Sequence, residues 1–172
     1  MRISGGKIAI IVVIVLVVVV TTLGYYMQLN SVRSAVKVVR VKILRIIIDE
    51  ENLSLTYVLS IEIECGLEED VVIESYRASI ELYYDQHMLL YSTLAGGSVS
   101  FRQRTVIIAN ETKLLDFSDL ETLRGVYSEN ELLAGDLRFT ATLSIKGLHV
   151  DIDTTCSIEP VYPQDVFVFK SS

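Results

Sequence analysis

Tryptophan is absent from this 172-residue chain, and cysteine, proline and histidine each occur only twice. Two cysteines are too few for a disulfide-rich scaffold or a four-thiolate zinc site. The two histidines, His87 and His149, are accompanied by no Gly-x-Ser-x-Gly, His-Glu-x-x-His or glycine-rich phosphate loop, so nothing selects a catalytic set. The reading is a protein that is not an enzyme and uses no cofactor. Acidic residues are missing from residues 1–48, which hold seven basic side chains, whereas residues 49–172 hold eight basic and all 22 acidic ones. The net charge of −7 therefore divides into a +7 segment followed by a −14 segment. A body that acidic repels phosphate backbones, which argues against nucleic acid as a partner. A 51% hydrophobic fraction and a mean hydropathy of +0.44 also exclude a disordered chain.

What is present begins with a long apolar run. Ile8 to Val20 are all Ile, Val, Leu or Ala, and 25 residues separate Lys7 from Arg33 without a charge. About 20 apolar residues at roughly 1.5 Å each cross a bilayer core. Tyr25 and Tyr26 suit the far interfacial belt, where amphipathic rings settle. The rival is a cleaved signal peptide, but the apolar stretch is long for one and no small-x-small site follows Val20. The expected organisation is a basic start over residues 1–7, a transmembrane helix over 8–28, a tether over 29–35, a domain over 36–160 and a tail over 161–172. The signal-anchor pattern places the domain outside the cell membrane. Five basic residues after the span against two before it pull the other way. The sequons at Asn52 and Asn110, expected at turns, favour the exterior as glycosylation sites.

Beyond the anchor the dominant period is two. Leu53, Leu55, Tyr57, Leu59, Ile61, Ile63 and Cys65 alternate with mostly polar neighbours, which is a half-buried strand. Residues 36–48 precede it, and hairpin pairing would turn Arg40 and Lys42 toward Glu62 and Glu64. Further strands are read at residues 76–84, 88–94, 99–109, 138–145 and 148–159. Ser118-Asp119-Leu120-Glu121 supplies a capping box for a short helix that Gly125 weakens or ends. The expectation is an all-β, immunoglobulin-like (fibronectin III-like) antiparallel sandwich of about seven strands.

This order of anchor, paired long strands, capped helix and final hairpin resembles the late-embryogenesis-abundant type 2 proteins, whose domain is also called the water-stress and hypersensitive-response (WHy) domain. The resemblance covers residues 36–160, with its best local match over 115–160, where Gly135-Asp136 leads into a hairpin ending at Pro160. The Asn-Pro pair usual after the family's second long strand is replaced here by Glu64-Cys65-Gly66-Leu67. The resemblance implies a non-enzymatic, membrane-anchored, stress-associated sandwich and no catalytic residues.

Other candidate features carry two readings each. Cys65 and Cys156 either close a loop of about 90 residues, worth about 3–5 kcal/mol outside the cytoplasm, or serve as small buried hydrophobes. His149, Asp151 and Asp153 share one strand face, a spacing open to a divalent cation but also that of any solvent-facing stripe. The acidic runs Asp49-Glu50-Glu51 and Glu68-Glu69-Asp70 lack a calcium-loop pattern and read as solvated loops. Val166-Phe167-Val168-Phe169 is either a flap or edge strand on its own domain or a strand offered to a protein partner or second copy. The functional expectation is a single-pass binding or structural module with the lipid bilayer as one partner. A noncatalytic subunit of a larger membrane complex and a pilin-like filament subunit are the alternatives.

Overall fold

The computed structural model describes residues 5–129 and 131–170, with side chains for Ile10 and from residue 12 onward. The basic start expected over residues 1–7 lies largely outside the described residues. Helix α1 (Gly5–Ala35) is followed by strands β1 (Val36–Asp49), β2 (Ser54–Cys65), β3 (Asp70–Tyr84), β4 (His87–Gly96), β5 (Val99–Arg102) and β6 (Arg104–Leu114). Helix α2 (Phe117–Ser128), strands β7 (Leu133–Ile145) and β8 (Leu148–Val161), helix α3 (Pro163–Val166) and strand β9 (Phe167–Lys170) complete the chain. One sheet has the order β6-β2-β1-β9; the other has β4-β3-β7-β8, with β5 also pairing β3. The architecture is thus a two-sheet sandwich behind an N-terminal apolar helix.

Nine strands replace the seven expected, for two local reasons. The single strand read over residues 99–109 is broken at Gln103, whose φ of 64° is left-handed. That residue turns the chain out of one sheet as β5 and into the other as β6. No glycine or proline marks the break, so alternation reads straight through it. The second extra strand is the expected tail. β9 adds to β1 in parallel, Ile46 opposite Phe167 and Ile48 opposite Phe169, so the sheets are not wholly antiparallel.

The expected tether is also revised. Residues 29–35 are the last two turns of α1, which passes into β1 with no loop between them. At about 1.5 Å per residue this helix is about 46 Å long, longer than the roughly 30 Å bilayer core. Its described side chains from Val12 to Val20 are exposed on every side. Among the described residues this is the one helix long and apolar enough to cross a membrane.

Strand β1 departs from strict alternation. Register shifts between Val38 and Arg40 and between Ile43 and Arg45 leave Val39 and Leu44 as extra, exposed residues. Each bulge re-aims the strand by one residue and restores the inward set Val41, Ile43, Ile46 and Ile48. The core between the sheets is Leu59, Ile61 and Ile63 against Ile80, Leu82, Leu137 and Phe139, all fully buried. Burying each such side chain contributes about 1.5–3 kcal/mol. Helix α2 closes the end of the core remote from α1 by burying Leu120, Leu123 and Val126. Its N-cap is Asp116, three residues from Asp119 in a reciprocal capping box, two residues earlier than expected. Gly125 neither breaks nor ends it, because Val126 still buries on the core side.

Candidate anchor junction and binding surfaces

The helix meets the sandwich through a small set of contacts. Val32 is buried, Leu29 packs against the core, and Arg33 Nε donates to the carbonyl of Asp151 at 3.2 Å. The Gly66 amide donates to the Ala35 carbonyl at 2.9 Å, so one unsatisfied helix-end acceptor is taken up by the β2 end. A groove of about 820 Å³ opens beside this junction, lined in part by Arg33, Lys37, Thr140, Asp151 and Asp153.

The histidine–aspartate stripe on β8 does share a face, but each member is engaged by a residue of β7 or β3. Asp153 accepts two hydrogen bonds from Arg138, at 3.0 and 2.6 Å, and this pairing holds its carboxyl below the usual range. Asp151 accepts from Thr142 Oγ1 at 2.8 Å. His149 Nδ1 lies 3.1 Å from Glu74. Three separate cross-strand partners replace one shared ligand set, and no metal-binding group is found among the described residues.

Both acidic runs are likewise tied to basic neighbours. Asp49 accepts from the backbone and side-chain amides of Asn52, which lower its pKa. Glu50 pairs with Arg124 at 2.8 Å and Glu69 with Lys146 at 2.6 Å. Asn52 is exposed at the β1–β2 turn, as expected. Asn110 is exposed too, but within β6 opposite Val58 rather than at a turn.

The cysteines are both free thiols, Cys65 buried in one sheet and Cys156 half-buried in the other. Their register partners are Val36 and Leu137. Burial, with a smaller contribution from Asp136, pushes the Cys156 thiol up. In this structure the two thiols, in different sheets, pack as small hydrophobes.

The tail takes the first of its two readings, an edge strand on its own domain. Val166 and Phe167 are buried, Phe169 packs on the core, and Val168 alone of the four is exposed. Phe167 and Phe169 gather with Tyr127 of α2, ring centroids 5.1 to 6.4 Å apart. Gln164 donates to the carbonyls of Tyr127 and Glu129, capping the end of α2. The short apolar segment docks on its own domain.

Several contacts had no visible signal in the sequence. Arg40 and Lys42 do lie beside β2, but both pair with Glu159 of β8, at 2.6 and 3.3 Å. Glu62 instead pairs with Arg104, and with only 9% of its surface exposed it is the one buried charged residue among those described. Tyr57 reaches across the core from β2 to donate to Ser92 of β4 at 2.8 Å. Tyr84 donates to Glu129, and burial first and that carboxylate second push its pKa up to about 12.

No family model matches the chain, and no curated protein does. Solved structures similar to it include a Northeast Structural Genomics Consortium target at 9% identity and TM-score 0.44, covering 74% of this chain and 88% of that one. A protein from Archaeoglobus fulgidus is similar at 11% identity and TM-score 0.38, over 64% of this chain and 86% of that one. The ligand-binding region of serine-glutamate repeat protein A of Enterococcus faecium is similar at 10% identity and TM-score 0.34, over 80% and 98%.

Proposed function

We propose that this chain is a non-enzymatic, single-pass module that holds an immunoglobulin-like sandwich at the outer surface of the cell membrane. It would bind or brace other proteins there, in the stress-associated manner that the late-embryogenesis-abundant resemblance implies. The observation that carries this reading is the unbroken passage from α1 into β1, pinned by Val32 and by Arg33 on Asp151. A flexible tether would let the domain roam, whereas a helix that continues into a strand holds it at a set height and orientation. About ten residues of α1 lie beyond a 20-residue span, which makes a stalk of about 15 Å.

Two measurements test it. Membranes carrying the full chain are washed with alkaline carbonate, and the protein is expected to stay in the pellet; release into the wash overturns the anchor. A Glu121→Cys variant, placed on the exposed face of α2, is then treated with a membrane-impermeant maleimide in intact cells. Labelling before lysis is expected, and labelling only after lysis overturns the exterior placement. Recovery in mild detergent with a stoichiometric second chain makes it a subunit of a larger complex instead.

A further inference from the structure

The two lateral sides of the sandwich differ in how their edges are finished. On one side β1 and β8 carry Lys37, Arg40, Lys42, Arg45, Asp151, Asp153 and Glu159, along with two bulges and a proline. These are the devices by which natural sheets blunt their edges. On the other side lie β4 and β6. β4 holds no Asp, Glu, Lys or Arg over its ten residues, and the centre of β6, Thr105 to Asn110, holds none either. β4 pairs only with β3 and β6 only with β2, so the outer amides and carbonyls of both have no strand partner among the described residues. Met88, Tyr91, Val106 and Ile108 stand 61%, 52%, 51% and 57% exposed on these two strands.

Strand direction indicates what fits there. β1 leads away from α1, β2 returns, and β6 leads away again. In the other sheet, Arg33 meets the start of β8 while Arg40 and Lys42 meet its end, so β8 also leads away from α1. Through the antiparallel pairs β8–β7, β7–β3 and β3–β4, β4 therefore runs back toward α1. Two chains anchored in one membrane are related by a two-fold axis along the membrane normal. That axis sets β6 of one copy antiparallel to β4 of the other, twice, in an isologous interface that closes on itself. Each sheet of one copy would continue into the opposite sheet of the next. Antiparallel β6–β6 pairing would instead send the two anchors in opposite directions.

Height and facing also match. Tyr57, opposite Glu111 in the sheet register, reaches across the core to Ser92, which keeps Glu111 and Ser92 within the reach of one tyrosine side chain of each other in height. Rotation about the normal preserves level, which places Ser92 of one copy near Glu111 of the other. In the register that sets these two opposite, Thr93 faces Asn110, Tyr91 faces Thr112 and Ala95 faces Ile108. All six are on the outward faces of their strands, with Leu90, Leu94, Ile107 and Ala109 turned to the cores.

We infer that a second copy of this chain, anchored in the same membrane, docks on the β4/β6 side by reciprocal strand pairing. The inference rests on the anchored reading above. The test uses the full-length chain in its membrane, in a Cys65→Ala, Cys156→Ser background, with Thr93→Cys and Asn110→Cys introduced separately and together and a short bismaleimide added. A band of doubled mass is expected from the combined variant and from neither single one, because identical positions lie on opposite sheets of the dimer. A Tyr91→Cys, Thr112→Cys pair, both at exposed sites, repeats the reading on an independent rung. Doubling in a single variant means another arrangement and overturns the inference, as does the absence of doubling in both combined variants. Carbonate washing of the same membranes separates the two failures: a retained but uncrosslinked chain defeats only the dimer, and a released chain defeats the anchor.

Discussion

Along the β1/β8 side, the chain uses its own ends as a seal. Glu159 bridges to Arg40 and Lys42, β9 lies against β1, and the last turn of α1 reaches Asp151. Along the β4/β6 side two edges stand open, β4 uncharged throughout and β6 uncharged from Thr105 to Asn110, and the sheets are tied across that flank by Tyr57 on Ser92. Both sides are built from strands with a comparable share of apolar residues. What separates them is where charge falls: on the sealed side it ties the sheets together along β1 and β8, and on the open side it is absent from β4 and confined to the ends of β6.

The largest expected effect comes from breaking the seal. Phe167→Ala removes a buried ring from the Tyr127 cluster and is expected to lower unfolding stability by about 3 kcal/mol, as for Phe→Ala in cores. An unchanged urea midpoint would show that β9 is an ornament rather than a clasp. On the open side, Tyr57→Phe deletes the hydrogen bond that spans the core and leaves Ser92 without it. A loss of about 1 kcal/mol is expected by the same denaturation, with a loss below a few tenths showing that water substitutes for the tyrosine. Glu159→Gln weakens two half-exposed ion pairs at once, for which about 0.5 kcal/mol is the expected cost at low salt, vanishing at high salt. A salt-independent loss would mean that Glu159 acts by packing.

The smallest effect is titrational. Asp153, Asp116 and Asp49 have pKa values lowered below 3.8 by Arg138, by the Asp119 amide and by Asn52 respectively. Each therefore adds stability that is present above the unfolded value and lost as pH falls through the folded one. Urea midpoints taken from about pH 6 down to about pH 2 should fall in that acid range. Asp153→Asn should flatten the fall, and an unaltered slope would exclude the Arg138 pair as a contributor. Asp153 and Asp116 are exposed and Asp49 is half-exposed, so solvent screens all three and the change is slight beside the loss of Phe167.

Much of this architecture is visible in residue order. The Leu53 to Cys65 alternation, the Lys146-Gly147 turn and the unbroken apolar run after Lys7 each follow from short-range preference, and each element is where its pattern puts it. The break at Gln103 is not visible, because a left-handed residue without glycine is held by the two sheets on either side of it. The β1 bulges are hidden for the same reason. Val39 and Leu44 look like core residues and become surface ones when β2 sets the register. The tail reads as a free apolar segment because nothing local to Val166 or Phe169 names β1 and Tyr127 as its partners.

Composition and periodicity by themselves determined that this chain would have an apolar helix ahead of a mostly β body, since hydrophobic period is a property of neighbours in sequence. They also placed the charge, leaving 87–101 without an acid or a strong base. Only the tertiary structure decided which edges are sealed, which sheet each cysteine joins, that Glu62 goes to Arg104 while Arg40 goes to Glu159, and that β4 and β6 lie open on one flank. Those are meetings between residues far apart in the chain, and two strands with the same alternation can be joined in many ways until twist, bulge and register select one.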